Sequence, residues 1–239
     1  MKFLFIGVYA NQDLILKLNK LSSNDGSMSI AAIKYTRLIG EGFKHNVGDN
    51  STNLFLVPIG MYPVCKVFLW NKRKIDGNYY IPFINIIFIK QLTISLYLFY
   101  FSVKWYFKNA GNEKRVIVFS FIYLPFLIAI APLKFLKNIY VTSFVPDMPE
   151  YEFSYSKNKS SLKEMLIPLY INLSKRIVRI NDFYVYITKY MENSFGNKPY
   201  RIIEGFTDAA INLKVGNNYI NKNAIMYAGA LFEKFGLKQ

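Results

Sequence analysis

The 239-residue sequence is poor in the residues that build redox and metal sites. It contains one cysteine, Cys65, and one histidine, His45. A single cysteine cannot form an internal disulfide, and a chain without a Cys/His cluster lacks the ligands of a structural zinc site. His45 has no Asp or Ser partner near it in the sequence, which favours a surface position over a catalytic base. We therefore expect a protein of a reducing cytoplasm, with no metal.

Three motifs of common enzymes are absent. The residues that follow the first predicted strand, 7–13, read GVYANQD and not G-x-G-x-x-G, so the dinucleotide-binding pattern is missing. The chain also contains no P-loop pattern and no G-x-S-x-G elbow. The sequence thus disfavours hydride-transfer enzymes, P-loop hydrolases and serine hydrolases.

No apolar run makes a clean membrane span. Lys90 and Lys104 interrupt residues 81–107 and leave only about 13 residues between them, too few for a bilayer core of roughly 30 Å. Residues 116–133 are divided by two prolines, which predicts a buried strand, a turn and an apolar helix.

The aromatic and lysine-bearing segment 83–108 leaves two interpretations open. Its lysines could snorkel while aromatic rings enter a membrane interface, which predicts a peripheral contact. The alternative is an ordinary core helix.

The N-terminus, MKFLFIGVYANQD, turns polar too soon for a secretory signal and reads as a first strand.

Composition indicates a folded protein with an anionic partner. Hydrophobic residues make up 52% and aromatic residues 18% of the chain, which excludes a disordered chain, and the net charge is +15. Such a charge suits nucleic acid, an anionic lipid surface or a phosphate-bearing ligand. Because the lysines are scattered and no nucleic-acid-binding motif occurs, we expect no nucleic-acid partner.

Apolar β-type runs alternate with helical stretches along the chain. The predicted strands cover residues 2–8, 53–58, 116–119, 138–144, 183–187, 200–203 and 224–227. One helix is predicted to begin near Ser27 or Ser29, and another to cover residues 161–180 with a kink or restart at Pro168. This alternation predicts an α/β fold with a Rossmann-like parallel sheet.

The domain organisation follows from a polar stretch near the end of the chain. We predict a first domain over residues 1–208, a linker over 209–223 and the first elements of a second Rossmann-like domain over 224–239. Since ligands of open α/β sheets bind at the carboxyl ends of strands, the loops after Val8, Ser120 and Phe144 should line one crevice.

Two pairs of charged residues are candidates for this crevice. Asp147 and Glu150 follow the fourth predicted strand in the turn PDMPE, where carboxylates could accept hydrogen bonds from sugar hydroxyls or deprotonate an acceptor. The alternative is that Asp147 only shapes a turn between two prolines. Arg201 and Glu204 either face a cleft between the domains or form a salt-bridged strand edge.

Gly229 lies between a short predicted strand and a helix start in IMYAGALFEKFGLKQ, residues 225–239. A glycine there permits close approach of a phosphate, and the following helix N-terminus favours negative charge.

The segments IIEGFTD, residues 202–208, and IMYAGALFEKFGLK, residues 225–238, resemble the interdomain junction of retaining GT-B glycosyltransferases of family 4. In that family the junction reads roughly V-I-x-G-G-V-D, followed by h-h-Y-x-G-x-L and y-G-h, where h is apolar. Phe206 replaces the second glycine of this pattern. VPDMPEY, residues 145–151, also looks like a turn of exopolysaccharide and capsule members.

The resemblance implies transfer of a hexose from a nucleotide-sugar donor to a glycan or lipid-linked acceptor, at the cytoplasmic face of a membrane. It would place Gly229 beside the donor diphosphate and Asp147 near the acceptor, and it implies no metal and no cofactor. The chain contains neither the family's basic pair nor its E-x-x-x-x-x-x-x-E motif, so we expect a fragment that is inactive alone. The alternative is a non-catalytic, membrane-associated binding module.

Overall fold

The structure is a computed structural model that describes residues 1–22, 30–72, 74–111, 113–150, 161–192 and 194–206. Contacts within Met1–Phe206 cluster into one compact unit. The predicted linker, residues 209–223, and the predicted start of a second domain, residues 224–239, lie outside the described residues. These two assignments and the boundary at residue 208 stay predictions.

Strands and helices alternate along the described chain. The strands are β1 (Lys2–Val8), β2 (Ser51–Leu56), β3 (Leu69–Trp70), β4 (Lys74–Ile75), β5 (Asn78–Tyr80), β6 (Phe83–Ile84), β7 (Arg115–Phe119), β8 (Ile139–Val145), β9 (Phe183–Tyr186) and β10 (Tyr200–Ile202). The helices are α1 (Gln12–Asn19), α2 (Ile30–Val47), α3 (Ile89–Lys108), α4 (Leu124–Ile130) and α5 (Ser161–Ile177).

One eight-stranded sheet, in the order β10-β9-β8-β7-β1-β2-β5-β4, organises the fold. All neighbouring pairs are parallel except β4 and β5, which form an antiparallel hairpin at one edge. β1 lies inside the sheet, where Ile6 pairs with Leu54 and Phe119, and all three side chains are fully buried. A mostly parallel sheet connected through helices is a Rossmann-like α/β arrangement, so the predicted fold class is confirmed for this unit.

Six of the seven predicted strands are present, each within two residues of its predicted ends. The seventh, residues 224–227, lies outside the described residues. The interpretation of residues 116–133 is also confirmed, because β7 is followed by a turn and then by α4. Pro125 lies in the first turn of α4, a position that tolerates proline because its missing N–H has no intrahelical partner.

The predicted helix over residues 161–180 is present with two corrections. α5 continues through Pro168 without a restart and ends at Ile177, and the last predicted turn is a 3₁₀ segment, Val178–Ile180. α2 is described from Ile30 onward, so its predicted start near Ser27 or Ser29 lies outside the described residues.

A tight turn joins β4 to β5 and was not predicted. Its two central residues, Asp76 and Gly77, have φ angles of 49° and 79°. Positive φ at both positions is the geometry of a type I′ turn, for which Asp-Gly is a favoured sequence because glycine has no Cβ to clash.

Charged groups at the amino-terminal edge of the sheet are paired. Arg115, at the start of β7, is 2% exposed and donates to three backbone carbonyls, those of Asn109 (2.8 Å), Gly111 (2.9 Å) and Lys137 (3.4 Å). Before β9, the Asp182 carboxylate accepts from Lys134 Nζ at 2.6 Å and from the backbone N–H of Val141 at 2.7 Å. The buried guanidinium of Arg115 and the partly exposed Lys134–Asp182 pair therefore have partners that offset their desolvation.

None of the helices in the described part of the chain combines the length and apolar character needed to cross a membrane.

Candidate functional site

The carboxyl ends of β8, β7 and β1 lie side by side, since these strands are neighbours in the parallel sheet. The loops after Val8, Ser120 and Phe144 therefore begin at one edge, and the crevice that they should line stays a prediction. We call this region the carboxyl edge. Two surface hollows of the described residues are open to solvent and lie away from it, one beside Lys134 and Asp182 and one along β10. We place the candidate site by its chemistry and not by these hollows.

Close packing at the carboxyl edge depends on Gly7. A Cβ at this position would lie 2.5 Å from both Ser120 Oγ and Thr36 Cγ2. Ser120 and Thr36 are buried, and the Thr36 hydroxyl donates to Ser120 Oγ at 3.1 Å. Gly7 thus allows β1 to pack closely against α2 and the loop after β7. This packing explains the glycine at this position, although the sequence has no dinucleotide-binding pattern.

Asp147 lies in the loop that follows β8, at the carboxyl edge. The residue is exposed, and partial desolvation by neighbouring atoms raises the pKa of its carboxyl above the ordinary value. Tyr35 of α2 is its electrostatic neighbour: burial, and secondarily the charge of Asp147, raise the pKa of the Tyr35 phenol. The Tyr35 hydroxyl is buried and has no hydrogen-bond partner among the described residues. The edge thus brings a perturbed carboxyl close to an unused phenol donor.

Phe206, the last described residue, packs against Tyr35 and Phe144. Its ring centroid lies 5.1 Å from that of Tyr35 and 6.0 Å from that of Phe144. The chain therefore turns back from β10 toward β8 and α2 after strand pairing ends. Phe206 is the residue that departs from the glycine of the family pattern, and here its ring fills space beside Tyr35.

Glu150 lies further along the loop that follows β8 and is tied to α5. Its Oε1 atom lies 2.8 Å from Lys175 Nζ, and both side chains are partly exposed. The other carboxylate oxygen, Oε2, is buried without a hydrogen-bond partner in the described residues. Glu150 keeps one unused acceptor.

Within the described residues, Arg201 and Glu204 share no hydrogen bond or ion pair with Asp147. Arg201 is exposed on β10 and borders the open hollow along that strand, and Glu204 is exposed in the segment after it. Neither forms an ion pair with another residue in the described ranges, so the salt-bridged alternative is not seen there. Gly229 lies outside the described residues.

Lys90 is a buried cation that sequence reasoning did not select as a site residue. Its Nζ donates to the carbonyl of Ile59, beyond the end of β2, at 2.7 Å and lies 4.9 Å from the centroid of the Phe83 ring. Burial lowers the pKa of Lys90 to about 8. Its position in the sequence could have indicated it, because a lysine within an otherwise apolar run is either exposed to solvent or a buried cation with a structural or functional role.

His45 is exposed near the end of α2, in agreement with its interpretation as a surface residue. In the ranges that the structure describes, no three His, Cys, Asp or Glu residues group closely enough to hold a metal ion.

Comparison with known proteins finds no protein family and no curated protein that matches this chain. Function is therefore argued from the geometry of the site and from the resemblance of the junction segments.

Proposed function

We propose that the chain is the acceptor-side domain of a retaining GT-B glycosyltransferase that transfers a hexose from a nucleotide sugar to a glycan or lipid-linked acceptor, in surface polysaccharide synthesis. The observation that carries the proposal is the position of Asp147 at the carboxyl edge of a mostly parallel sheet, within electrostatic range of Tyr35. This is the edge at which sheets of this class bind their ligands.

The two side chains offer complementary chemistry to an acceptor hydroxyl. A carboxylate whose pKa is raised is a better proton acceptor than an ordinary one, and Asp147 is exposed enough to reach a ligand. Tyr35 keeps its proton at neutral pH because burial raises the pKa of its phenol, and its buried hydroxyl would donate to an acceptor oxygen that reaches it. Together they would orient a hydroxyl for attack on the donor sugar.

The donor side of the proposal concerns residues outside the described ranges. Gly229 and the helix start that follows it would contact the donor diphosphate, whose negative charge a helix N-terminus and basic side chains stabilise without a metal ion. On this proposal the enzyme works at the cytoplasmic face of the cell membrane, attached peripherally.

The experiment measures transfer from radiolabelled UDP- and GDP-sugars to a membrane-lipid or glycan extract by the complete protein that contains this chain. Asp147→Asn should lower turnover at least about tenfold, a modest share of a general-base contribution. Asp49→Asn, an exposed aspartate beyond α2, is the matched control and should leave turnover unchanged.

Two results would count against the proposal. Equal turnover by wild type and Asp147→Asn would leave Asp147 as a turn residue between two prolines. The second result is that a protein shown to be folded by circular dichroism transfers no sugar from any nucleotide sugar. This result would reject the glycosyltransferase and favour the non-catalytic binding module.

A further inference from the structure

The outward face of α3 is apolar where a water-facing helix is ordinarily polar. The inward face is the buried row Lys90, Ile94, Leu98, Ser102 and Trp105. On the opposite side the exposed side chains include Ile89, Leu92, Leu96, Phe99, Tyr100 and Phe107. Leu92 is 58%, Leu96 60% and Phe107 64% exposed. A helix that is apolar on both sides is expected inside a core or against an apolar partner, not in water.

A neighbouring loop extends this surface. Residues 61–69 follow β2 and expose five more apolar side chains, those of Met61, Tyr62, Val64, Phe68 and Leu69. Asn85 fixes the loop beside the start of α3: its carbonyl accepts from the N–H of Tyr62 at 3.0 Å, and its N–H donates to the carbonyl of Phe68 at 2.7 Å. We call the outward side of α3 together with loop 61–69 the apolar face.

The segment of the chain that contains the apolar face is basic. Residues 50–112 contain seven lysines and arginines and a single carboxylate, Asp76. That carboxylate already accepts a hydrogen bond from Asn11. Lys104 and Lys108 are exposed near the end of α3, and Lys66 is exposed in the loop.

We propose that the apolar face is the surface by which the protein docks on a bilayer containing anionic lipids. Apolar side chains enter the interface while the surrounding lysines attract anionic headgroups. A second copy of this chain fits less well, because it carries the same net positive charge of +15. The inference deepens the peripheral attachment proposed above by naming its surface.

The docking surface lies next to the candidate site. Loop 61–69 follows the carboxyl end of β2, two strands away from β7 and on the same edge of the sheet as Asp147. Docking there would bring the carboxyl edge close to headgroups, which suits a lipid-linked acceptor.

The experiment is flotation of the purified chain with phosphatidylcholine vesicles, with and without phosphatidylglycerol. We expect binding that requires phosphatidylglycerol. The pair Leu92→Gln and Leu96→Gln should lower the bound fraction about tenfold, since two apolar side chains leave the interface. The matched control is Leu169→Gln with Leu173→Gln, an exposed pair at the same helical spacing on α5, which should bind as wild type does.

A second pair of variants tests the charge. Lys104→Gln with Lys108→Gln should weaken binding severalfold, whereas Lys17→Gln with Lys20→Gln, which removes equal charge from α1, should have little effect. Circular dichroism of each variant checks that it remains folded.

Three outcomes would overturn the inference. They are equal binding by the Leu92/Leu96 variant and wild type, no binding to either vesicle, and a concentration-dependent dimer that the Leu92/Leu96 variant abolishes. Vesicle binding without sugar transfer by the complete protein would uphold the docking surface and count only against the glycosyltransferase.

Discussion

The charged groups at the amino-terminal edge of the central sheet have partners, whereas two polar groups at the carboxyl edge have none in the described residues. One amide oxygen at the amino-terminal edge, Asn181 Oδ1, is also buried without a partner there. At the amino-terminal edge Arg115 donates hydrogen bonds to three backbone carbonyls. The Asp182 carboxylate accepts hydrogen bonds from Lys134 and from a backbone N–H, and the N-terminal amine lies 2.9 Å from the Glu113 carboxylate. At the carboxyl edge the Tyr35 hydroxyl and one oxygen of Glu150 are buried with no partner in the described residues.

We expect the paired groups to stabilise the fold and the unpaired groups to take part in ligand binding. A buried polar group without a partner destabilises the fold, so a group kept in that state is explained by a ligand that completes its hydrogen bonds or by a partner outside the described residues. Paired groups at the amino-terminal edge need no ligand. The comparison predicts that substitutions at the two edges act on different measurements.

The largest effect is expected at the amino-terminal edge. Arg115→Met removes three charge-assisted hydrogen bonds and a guanidinium that lies 4.4 Å from the Tyr106 ring centroid. The free energy of unfolding in urea should fall by about 3 kcal/mol. Lys114→Met, at the exposed neighbouring position, is the control and should change it by less than about 0.5 kcal/mol. A small effect of Arg115→Met would mean that this edge is not a stability element.

A pH-dependent effect of intermediate size is expected at Lys90. Its pKa is about 8 in the fold against an ordinary 10.5, so between these values the unfolded chain binds a proton that the folded chain does not. Stability from this group therefore rises with pH in that window. Relative to Lys90→Met, the wild-type free energy of unfolding should increase by about 2 kcal/mol from pH 7.5 to 9.5.

Urea titrations at both pH values provide the measurement. Lys104→Met, an exposed lysine on the same helix, controls for the general loss of one positive charge. A parallel course of wild type and Lys90→Met across this window would show that Lys90 is not held in a desolvated site.

The smallest effect is expected for two buried tyrosine hydroxyls, whose removal should change the free energy of unfolding in different directions. Tyr35→Phe removes a buried hydroxyl without a described partner, so the free energy of unfolding should stay constant or rise by up to about 1 kcal/mol. Tyr184→Phe removes a buried hydroxyl that donates to the carbonyl of Val178 at 2.8 Å, and should lower it by about 1 kcal/mol. An equal loss in both variants would assign the Tyr35 hydroxyl to a partner outside the described residues and weaken its role as a ligand donor.

The central strands could be predicted from sequence because each is a buried apolar run with its own local pattern. The same reasoning missed β3 to β6, whose two or three residues are too short to show a period, although Asp76-Gly77 is a recognisable turn signal. It also missed α1, although asparagine is a favoured N-cap residue. Asn11 caps this helix by accepting a hydrogen bond from the N–H of Leu14.

The candidate site was predictable only by its position. Strand order places the loop with Asp147 at the carboxyl edge, and that much follows from an alternating pattern. Tyr35 and Phe206 could not be found in this way, because they meet Asp147 and Phe144 through tertiary packing between segments far apart in the chain. The apolar face of α3 was visible in composition, but only burial shows which side of the helix faces outward.

The described sheet is bounded by β4 and β10, and both boundaries carry cations. Lys72 and Lys74 are exposed beside or on β4, and Lys198 and Arg201 beside or on β10. Unpaired strand edges are templates for pairing with other chains, and like charges on both edges keep two copies from joining into a filament. Since the Debye length falls to about 3 Å at 1 M salt, this protection fades in concentrated salt. Stocks of this protein should therefore be stored at low ionic strength.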